Sequence, residues 1–585
     1  MITRFLACAA ATWLAAGVLA AQPRTIDDFF AAFTADWVRG NPNQATSTRY
    51  FTGDEQQRLD RELTSVSLAW QRERIALARK GQAELAAFNR SGLTEVQRVS
   101  ADVLQWQLES IVEGEKYLDY FFPFEQFNGI NVGLVSTLTI GHPIASESDA
   151  LNYLAKLEQV DTRMDEGLVD ARQLAGVRMA PPRFILRTTL NQMRQFTDGP
   201  AAANPFVSTL AERLSSVQAV PASRRAELVQ RAEGIVAGEV YPAWRRVIAF
   251  LETLEARAGD DAGLWRLDDG AEAYAYNLRR YTTTTLSADD IHQIGLRMVD
   301  EIQKEMDAIF RKLGRTEGSV RDRVRQLERD LAYPLTDEGR TRIMADIEGM
   351  MRDAEKRAAA DFERQPKASV VAMPYPRFRE ASAAAGYNSP APDGSRPGIF
   401  QIPLRPDYMT KFGLRTLVYH ETVPGHHFQI ALEMENTASP RFRRLRAFGG
   451  IPALSEGWGL YAERFAAESG WYENDLEGRL GQLDAALFRA RRLVVDTGLH
   501  AKRWTRQQAI DYGIEASEVE RYVVYPGQAC AYMLGQLKIV ELREKARKAM
   551  GDRFSLRAYH TAVLNTGSVP LPVLERQIDA FIKGS

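Results

Sequence analysis

The chain has 585 residues, 45% of them hydrophobic, so it is long and apolar enough to bury a large core. Its 74 Lys and Arg residues nearly balance its 76 Asp and Glu residues, and the net charge is close to zero. This balance gives no global reason to expect binding to nucleic acid or to an anionic membrane surface.

The first 21 residues, MITRFLACAAATWLAAGVLAA, are typical of a secretory signal peptide. Arg4 supplies the positive start, an apolar run follows, and Val18-Leu19-Ala20 has the small-residue pattern of a cleavage site. The alternative, an N-terminal membrane anchor, is disfavoured because the run is short and lacks a positive stop-transfer flank. No later apolar run reaches the ~18 residues of a membrane span. We therefore expect an exported, periplasmic protein without stable membrane insertion.

The chain has two cysteines, Cys8 and Cys530. If Cys8 leaves with the signal peptide, the mature chain cannot form an intramolecular disulfide. The fold must then be held by its core, by a metal, or by both.

Most of the chain has apolar residues at three- and four-residue steps, the spacing of amphipathic helices. Examples are the segments DFFAAFTADWVRG, SADVLQWQLESIVEGEKYLDYFF and RLGQLDAALFRARRLVVDTGLHAKRW. In the last segment one stripe is formed by Leu480, Leu483, Leu487, Ala490 and Val494. The sequence therefore predicts a mostly α fold, a large multi-helix body whose stripes face the core.

Three irregular stretches interrupt the predicted helices: residues 121–146, 176–184 and 372–409. Short strands are expected near SVVAMPYP and GIFQIPL, on either side of a Gly/Pro/Ser-rich part of the third stretch. That stretch leads into the helix carrying His420, and long ordered loops of this kind are often functional. We predict a helical part over residues 22–370 and a catalytic part over residues 371–585, although one continuous domain remains an alternative.

The segment VYHETVPGHHFQ begins like the zinc-peptidase motif His-Glu-x-x-His. In that motif two histidines one helical turn apart bind the metal, and the glutamate takes a proton from the bound water. Here Pro424 stands where the second histidine should be. On a regular helix His426 would lie about 240° around and ~9 Å along the axis from His420, too far to share one ion.

Pro424 and Gly425 offer a way to restore the site. Proline cannot donate to the carbonyl of His420 and pushes that carbonyl away, and glycine permits backbone angles that other residues avoid. A break here could bring His426 back toward His420. A third ligand is expected from GGIPALSEGWGLYAERF, where we favour Glu456 over Glu463, which lies seven residues later on the same helical face.

Several segments resemble the bacterial proteins grouped as domain of unknown function 885. They are HETVPGHHFQ, LSEGWGLYAE, DTGLHAKRWTRQQAIDY, YPGQACAYMLGQLKIVELREKA, RFILRTTLNQM and GYNSPAPDGSRPGIFQI. The resemblance covers nearly all of the mature chain. It implies a largely α-helical zinc metallopeptidase related to the gluzincins, with one zinc per chain held by His420, His426 and Glu456. It also implies that Glu421 is the base. It does not decide between His426 and His427, and we choose His426 as the first histidine after the break.

A zinc peptidase also needs a donor for the developing oxyanion. The candidates are Tyr525, just before Pro526-Gly527, and Tyr532 in the helix that follows; Arg521 and Gln528 lie nearby. Asp496 and His500 are spaced i,i+4, so Asp496 could orient His500 toward substrate, or the two could form a local structural pair.

Other polar residues receive weaker interpretations. His142 could line a cleft, and His292 and His560 are interpreted as structural or solvated. Arg396 and Tyr387, in the long Gly/Pro loop, could hold a substrate carboxylate.

The predicted function is hydrolysis of a peptide bond by metal-activated water, with a peptide or small amide as substrate. The first alternative is a zinc hydrolase of a non-peptide amide or ester. The second is a non-catalytic periplasmic binding or scaffold protein with a degenerate site, which the displaced histidine favours and the retained Glu421 disfavours.

Overall fold

The computed structural model describes residues 24–584, apart from 177–178, 376, 381–383, 392–393, 395 and 406–408. The predicted signal peptide and Cys8 lie outside the described residues. Within the described part of the chain, none of the helices combines the length and the apolar character needed to cross a bilayer.

The fold is mostly α, as predicted. The helices of the first half are α1 Ile26–Arg39, α2 Pro42–Thr48, α3 Gly53–Leu59, α4 Leu68–Ala86, α5 Glu95–Glu113, α6 Ile130–Ser136, α7 Glu147–Leu157, α8 Val160–Gly176, α9 Arg183–Thr197, α10 Pro205–Ser215, α11 Ala222–Ile235, α12 Tyr241–Glu255, α13 Gly270–Thr282 and α14 Ala288–Lys312. Two π-helical segments extend α6 and α11, over Thr137–Gly141 and Val236–Val240.

The second half contains the remaining helices and a small sheet. Its helices are α15 Val320–Leu331, α16 Asp337–Asp361, α17 Arg377–Glu380, α18 Lys411–Glu421, α19 His426–Glu435, α20 Arg441–Arg444, α21 Pro452–Glu468, α22 Leu476–Ala501, α23 Arg506–Asp511, α24 Ala516–Val524, α25 Ala531–Met550, α26 Leu556–Thr566 and α27 Leu571–Gly584. Short 3-10 turns occupy Arg90–Gly92, Gly114–Tyr120, Ala201–Ala203, Leu264–Arg266, Gln528–Cys530 and Gly551–Arg553.

The two predicted strand segments form β1 Val370–Pro374 and β3 Gly398–Ile402, which pair in parallel. A third strand, β2 Gly386–Asn388, pairs antiparallel with β3, so the order is β1-β3-β2. The sheet ends shortly before α18 and lies against the start of α19, where a Cβ on Gly398 would be 2.8 Å from the ring of His427.

The prediction of an irregular stretch over residues 121–146 is wrong in part, because α6 and a π-helical segment lie within it. Gly133 and β-branched residues weaken the helical signal of this segment. Burial of Leu134 and Leu138 against neighbouring helices outweighs that low propensity.

The predicted stripe on α22 is confirmed, since all five of its residues are buried. The core that surrounds the His-Glu segment draws residues from both ends of the chain. Phe29, Phe30 and Phe33 of α1 are buried in it, and each such burial contributes about 1.5–3 kcal/mol. The Trp37 indole N–H also donates to the carbonyl of Ala447 over 3.1 Å. Packing therefore crosses residue 370, and the boundary placed there stays a prediction.

Candidate metal centre

The His-Glu segment breaks where Pro424 and Gly425 predict that it should. Helix α18 ends at Glu421 and α19 begins at His426. The Val423–Pro424 peptide is cis, and the Pro424 carbonyl accepts the indole N–H of Trp458 over 2.8 Å. At Gly425 a Cβ would lie 1.9 Å from the carbonyl oxygen of His420, so only glycine lets the chain fold back this closely.

The fold-back brings the two histidines together. The ring centroids of His420 and His426 are 4.6 Å apart, with the ring planes at 80°. Glu456, in the second turn of α21, places Oε2 3.6 Å from His420 Nε2 and 3.3 Å from His426 Nε2. Ligand atoms of the three residues all lie within 4.8 Å of one another.

This geometry fits a zinc ion. With ligand bonds of ~2.1 Å, tetrahedral coordination separates neighbouring ligand atoms by about 3.4 Å. The two imidazole–carboxylate separations given above are close to that value. Two imidazoles and one carboxylate also match the ligand set of catalytic rather than structural zinc sites, which leaves a further coordination position for water or substrate.

A second carboxylate fixes the orientation of His420. Its Nδ1–H donates to Glu463 Oε1 over 2.7 Å, so Nε2 faces Glu456 and His426 and is the ring nitrogen that would bind a metal once its proton is lost. Glu463 is 1% exposed, and Arg489 Nη2 lies 3.6 Å from the same carboxylate oxygen. Gly459 lies under the imidazole, since a Cβ there would be 2.6 Å from His420 Cε1.

The cluster is electrostatically poised to hold positive charge. Burial alone would lower the pKa of His420, but the nearby carboxylate of Glu456 and the hydrogen bond to the carboxylate of Glu463 raise that pKa to about 10. Burial raises the pKa of Glu456, yet the neighbouring His426 and His420 hold that pKa well below its usual value. The protons favoured here occupy the positions where a divalent cation would bind, so metal binding must displace them.

Glu421 is the last residue of α18 and is only 6% exposed. Its Oε2 is buried without a hydrogen-bond partner among the described residues, and so is Nδ1 of His426. Buried polar atoms are normally paired, and an unpaired carboxylate oxygen beside a metal-ligand cluster is suited to accept a proton from water.

His427 points away from the cluster. Its Nε2–H donates to the carbonyl of Ala368 and its Nδ1 accepts from the Tyr387 hydroxyl, each over 3.0 Å. Burial lowers its pKa to about 4. Both ring nitrogens are engaged with the segment around the sheet, so the geometry brings His426, and not His427, to His420 and Glu456.

Tyr532 lies in the first turn of α25 and is 9% exposed. The guanidinium of Arg492 sits 4.4 Å from the centre of its ring, and Arg521 also interacts with it electrostatically. One turn further along α25, Gly535 packs directly on Gly457, the residue after Glu456. Tyr532 is therefore placed beside the helix of the cluster and next to two cations.

Tyr525 lies elsewhere, on the wall of a cavity. Its ring packs edge-on to Tyr281 at 5.0 Å between centroids and lies 5.8 Å from that of Phe127. The lining of this cavity does not include the three clustered residues.

The structure does not bring His500 to the cluster. Its Nδ1 accepts from the backbone N–H of Leu264 over 3.1 Å and its Nε2–H donates to the carbonyl of Tyr522 over 3.0 Å. Asp496 instead accepts from the Tyr274 hydroxyl over 2.5 Å and from the Gly527 N–H over 3.0 Å. These bonds leave His500 no free ring nitrogen, so a catalytic role for it has no support.

The more weakly interpreted residues also have local partners. His142, His292 and His560 are buried and bond to the Asp149 carbonyl, the Thr497 hydroxyl and the Tyr461 hydroxyl, respectively. Arg396 donates to the carbonyls of Pro397 and Ser389 within its own loop.

Sequence reasoning missed Arg489 and Trp458, which support the cluster from outside. Trp458 lies in the segment LSEGWGLYAE that carries the family resemblance, but neither residue is of a type that binds zinc, so reasoning from ligand chemistry passed over both. The seven-residue step from Glu456 to Glu463 did place both carboxylates on one face of α21.

The fold and this cluster define a mostly α-helical protein with two imidazoles and a carboxylate converging beside a buried glutamate. The family described as "Bacterial protein of unknown function (DUF885)" matches residues 42–578, so the chain belongs to that family. No curated protein matches the chain.

Two solved structures are similar over nearly the whole length. The first is described as "the putative lipoprotein from Colwellia psychrerythraea"; it is 32% identical, with a TM-score of 0.91, over 96% of this chain and 100% of that one. The second is described as "a putative lipoprotein of unknown function from Shewanella oneidensis". It is 18% identical, with a TM-score of 0.69, over 94% of this chain and 99% of that one, which shows a shared fold.

Proposed function

We propose that this protein is an exported zinc-dependent hydrolase that cleaves peptide bonds. The observation that carries the proposal is the convergence of His420, His426 and Glu456, with ligand atoms within 4.8 Å of one another. The residue after His420 is Glu421, whose buried Oε2 has no hydrogen-bond partner among the described residues. A purely structural zinc site has no need of a base next to its ligand. The His-Glu-x-x-Pro-Gly-His-His pattern and its likeness to gluzincins give further support.

Each residue has a defined task in the proposed mechanism. His420, His426 and Glu456 would hold the ion, which would supply Lewis-acid activation of water and of the substrate carbonyl. Glu463 keeps His420 in the tautomer that presents Nε2. Glu421 accepts the proton of the attacking water and can pass it to the leaving amine. Tyr532, beside two guanidinium groups, is the candidate donor to the oxyanion.

Export is supported by the sequence of residues 1–21, which has the features of a signal peptide. The descriptions of the two similar structures as lipoproteins agree with a location in the cell envelope. We propose the periplasm as the location.

The first experiment is to measure zinc per chain by elemental analysis of the purified mature protein. The expected result is about one zinc per chain, lost in His420→Ala and retained in His427→Gln. His427 is the matched control because it neighbours His426 but bonds to Ala368 and Tyr387. Absence of metal from the wild type, even after zinc is added, would reject the proposal and favour a non-catalytic binding protein.

If zinc is present, hydrolysis assays identify the substrate class. The wild type should hydrolyse members of a library of short peptides, and the Glu421→Gln variant should not. Turnover of small amides or esters without turnover of peptides would instead favour the non-peptide hydrolase.

A further inference from the structure

A cavity of about 340 Å³ lies between the segment after α5, the turn before α13, α13 itself and the turn after α24. Its volume is at the lower end of the range for small-ligand sites, ~300–1,000 Å³. Part of its wall is apolar, from Phe121, Phe122, Leu264 and Val523. The cavity is large enough for one bulky side chain and the backbone that carries it.

Two guanidinium groups, those of Arg266 and Arg280, face this cavity. Among the described residues, neither forms an ion pair with a carboxylate, whereas neighbouring Arg279 pairs with Glu113. Burial lowers the pKa of Arg266, and the charge of Asp261 offsets that effect only in part. Two arginines on one cavity wall, without an ion pair to a carboxylate in the described part of the chain, favour an anionic ligand, which a guanidinium can bind with two hydrogen bonds.

Glu125 also lines the cavity, and its oxygens accept the backbone N–H groups of Phe127 and Asn128. Burial raises the pKa of Glu125 to about 7, so above that pH the three groups together carry one net positive charge. That charge matches a single carboxylate better than a dianionic phosphate.

Asn277 places a second requirement on a ligand of this cavity. It lines the cavity, is 1% exposed, and its Nδ2 donates to the carbonyl of Ala273 over 2.8 Å, which fixes the amide orientation. Its Oδ1 is buried without a donor among the described residues. A ligand that fills the cavity must therefore offer an N–H to Oδ1 or leave it unsatisfied at a cost.

We infer that this cavity binds the carboxyl-terminal residue of a peptide. The free carboxylate lies against Arg266 and Arg280, the amide N–H of the same residue donates to Asn277, and the side chain packs on the apolar wall. An N-acylated amino acid with a large apolar side chain combines all three features. Helix α13, which carries Arg280 and Asn277, also packs against α21, the helix of Glu456.

Binding of such a ligand does not depend on the metal, but its assignment as the end of a substrate rests on the proposed hydrolase function. In that case the enzyme acts on peptides with a free carboxyl terminus. The two ideas can then fail separately, because ligand binding and zinc content are measured independently.

The test is calorimetric titration of full-length mature Glu421→Gln protein, which should not turn the probe over. The probes are N-acetyl-phenylalanine, its carboxamide and inorganic phosphate. We expect the acid to bind about tenfold or more tightly than the carboxamide, the loss typical of charge-assisted hydrogen bonds. Equal affinity for acid and carboxamide, no binding of the acid, or tighter binding of phosphate than of the acid would overturn the inference.

Arg280→Gln, added to this background, should abolish the preference for the acid, and Arg279→Gln should leave it unchanged. These two residues are adjacent on α13 and both exposed, so neither change should prevent folding. Arg266→Gln is the second pocket variant. Retention of the full preference in both Arg280→Gln and Arg266→Gln would overturn the inference even if the acid binds.

Discussion

His420 and Glu463 lie 43 positions apart in the chain and share a 2.7 Å hydrogen bond from imidazole Nδ1 to carboxylate Oε1, in a site almost closed to water. The bond orients the ring and increases its basicity toward a metal. Glu463→Gln should therefore retain the fold and weaken zinc binding by about 10–100-fold. Competition with a chromophoric chelator measures this affinity. Glu473→Gln, at an exposed site beyond the end of α21, is the control, and equal affinities in the two variants would contradict the role of Glu463.

Glu421→Gln separates metal binding from chemistry. The amide is nearly isosteric but cannot accept the proton of water, so zinc content should stay near one per chain while peptide turnover falls by about 10²–10⁴-fold or more. Zinc analysis and peptide turnover should be measured on the same preparation. Wild-type turnover in this variant would mean that Glu421 is not the base.

Gly459 is predicted to be required because a side chain there would displace His420. An added Cβ would lie 2.6 Å from Cε1 of a ring that Glu463 holds in place. We expect Gly459→Ala to lose at least tenfold in zinc affinity and about 1–3 kcal/mol in the free energy of unfolding. Gly349→Ala is the matched control, since Gly349 is also within a helix and a Cβ there meets nothing within 4 Å. That control should be neutral or stabilising by up to ~1 kcal/mol.

Acid should destabilise the fold through its buried neutral histidines. Burial lowers the pKa of His560 to about 3, and burial lowers those of His142, His427 and His500 to about 4. In the unfolded chain these imidazoles titrate near pH 6.5. Their contribution is fully present above that pH and is lost as pH falls toward the folded-state values, at about 1.4 kcal/mol per pH unit and group.

His560→Gln isolates one of these contributions. His560 accepts from Tyr461 and is enclosed by the rings of Phe362 and Phe465. The variant should be less stable at pH 7.5 but should lose less stability between pH 7 and pH 4. Urea unfolding of chelator-treated protein at several pH values measures how the free energy of unfolding changes with pH in the wild type and in the variant. Parallel pH profiles for wild type and variant would show that His560 does not titrate on unfolding.

The sequence was sufficient to predict the helical class, the strands that became β1 and β3, and the break before His426. These features depend on local signals: apolar periodicity, alternation, and the backbone restrictions of proline and glycine. Glu456 was predicted as the ligand that joins His420 from ligand chemistry and from the helix start at Pro452. These signals are also local.

Residues whose positions depend on tertiary packing were not predictable in the same way. The i,i+4 spacing of Asp496 and His500 suggested a pair, but packing directs the two side chains to different backbone groups. Tyr525 and Tyr532 are only seven residues apart, yet a turn at Gly527, with φ of 82°, directs one to a cavity and the other to Arg492. Likewise, apolar periodicity could not show that Arg489 of α22 would lie beside Glu463 of α21.

The hydrogen bond from Trp37 to Ala447 joins residues 410 positions apart. The core around the candidate metal centre therefore contains contacts between residues far apart in the sequence, and its assembly requires closing a loop of most of the chain. We expect the segments that carry His420 and Glu456 to stay incompletely packed until α1 docks. Because α1 is synthesised first, it cannot complete its packing until the later segments of the chain, including the one that carries Ala447, have been made.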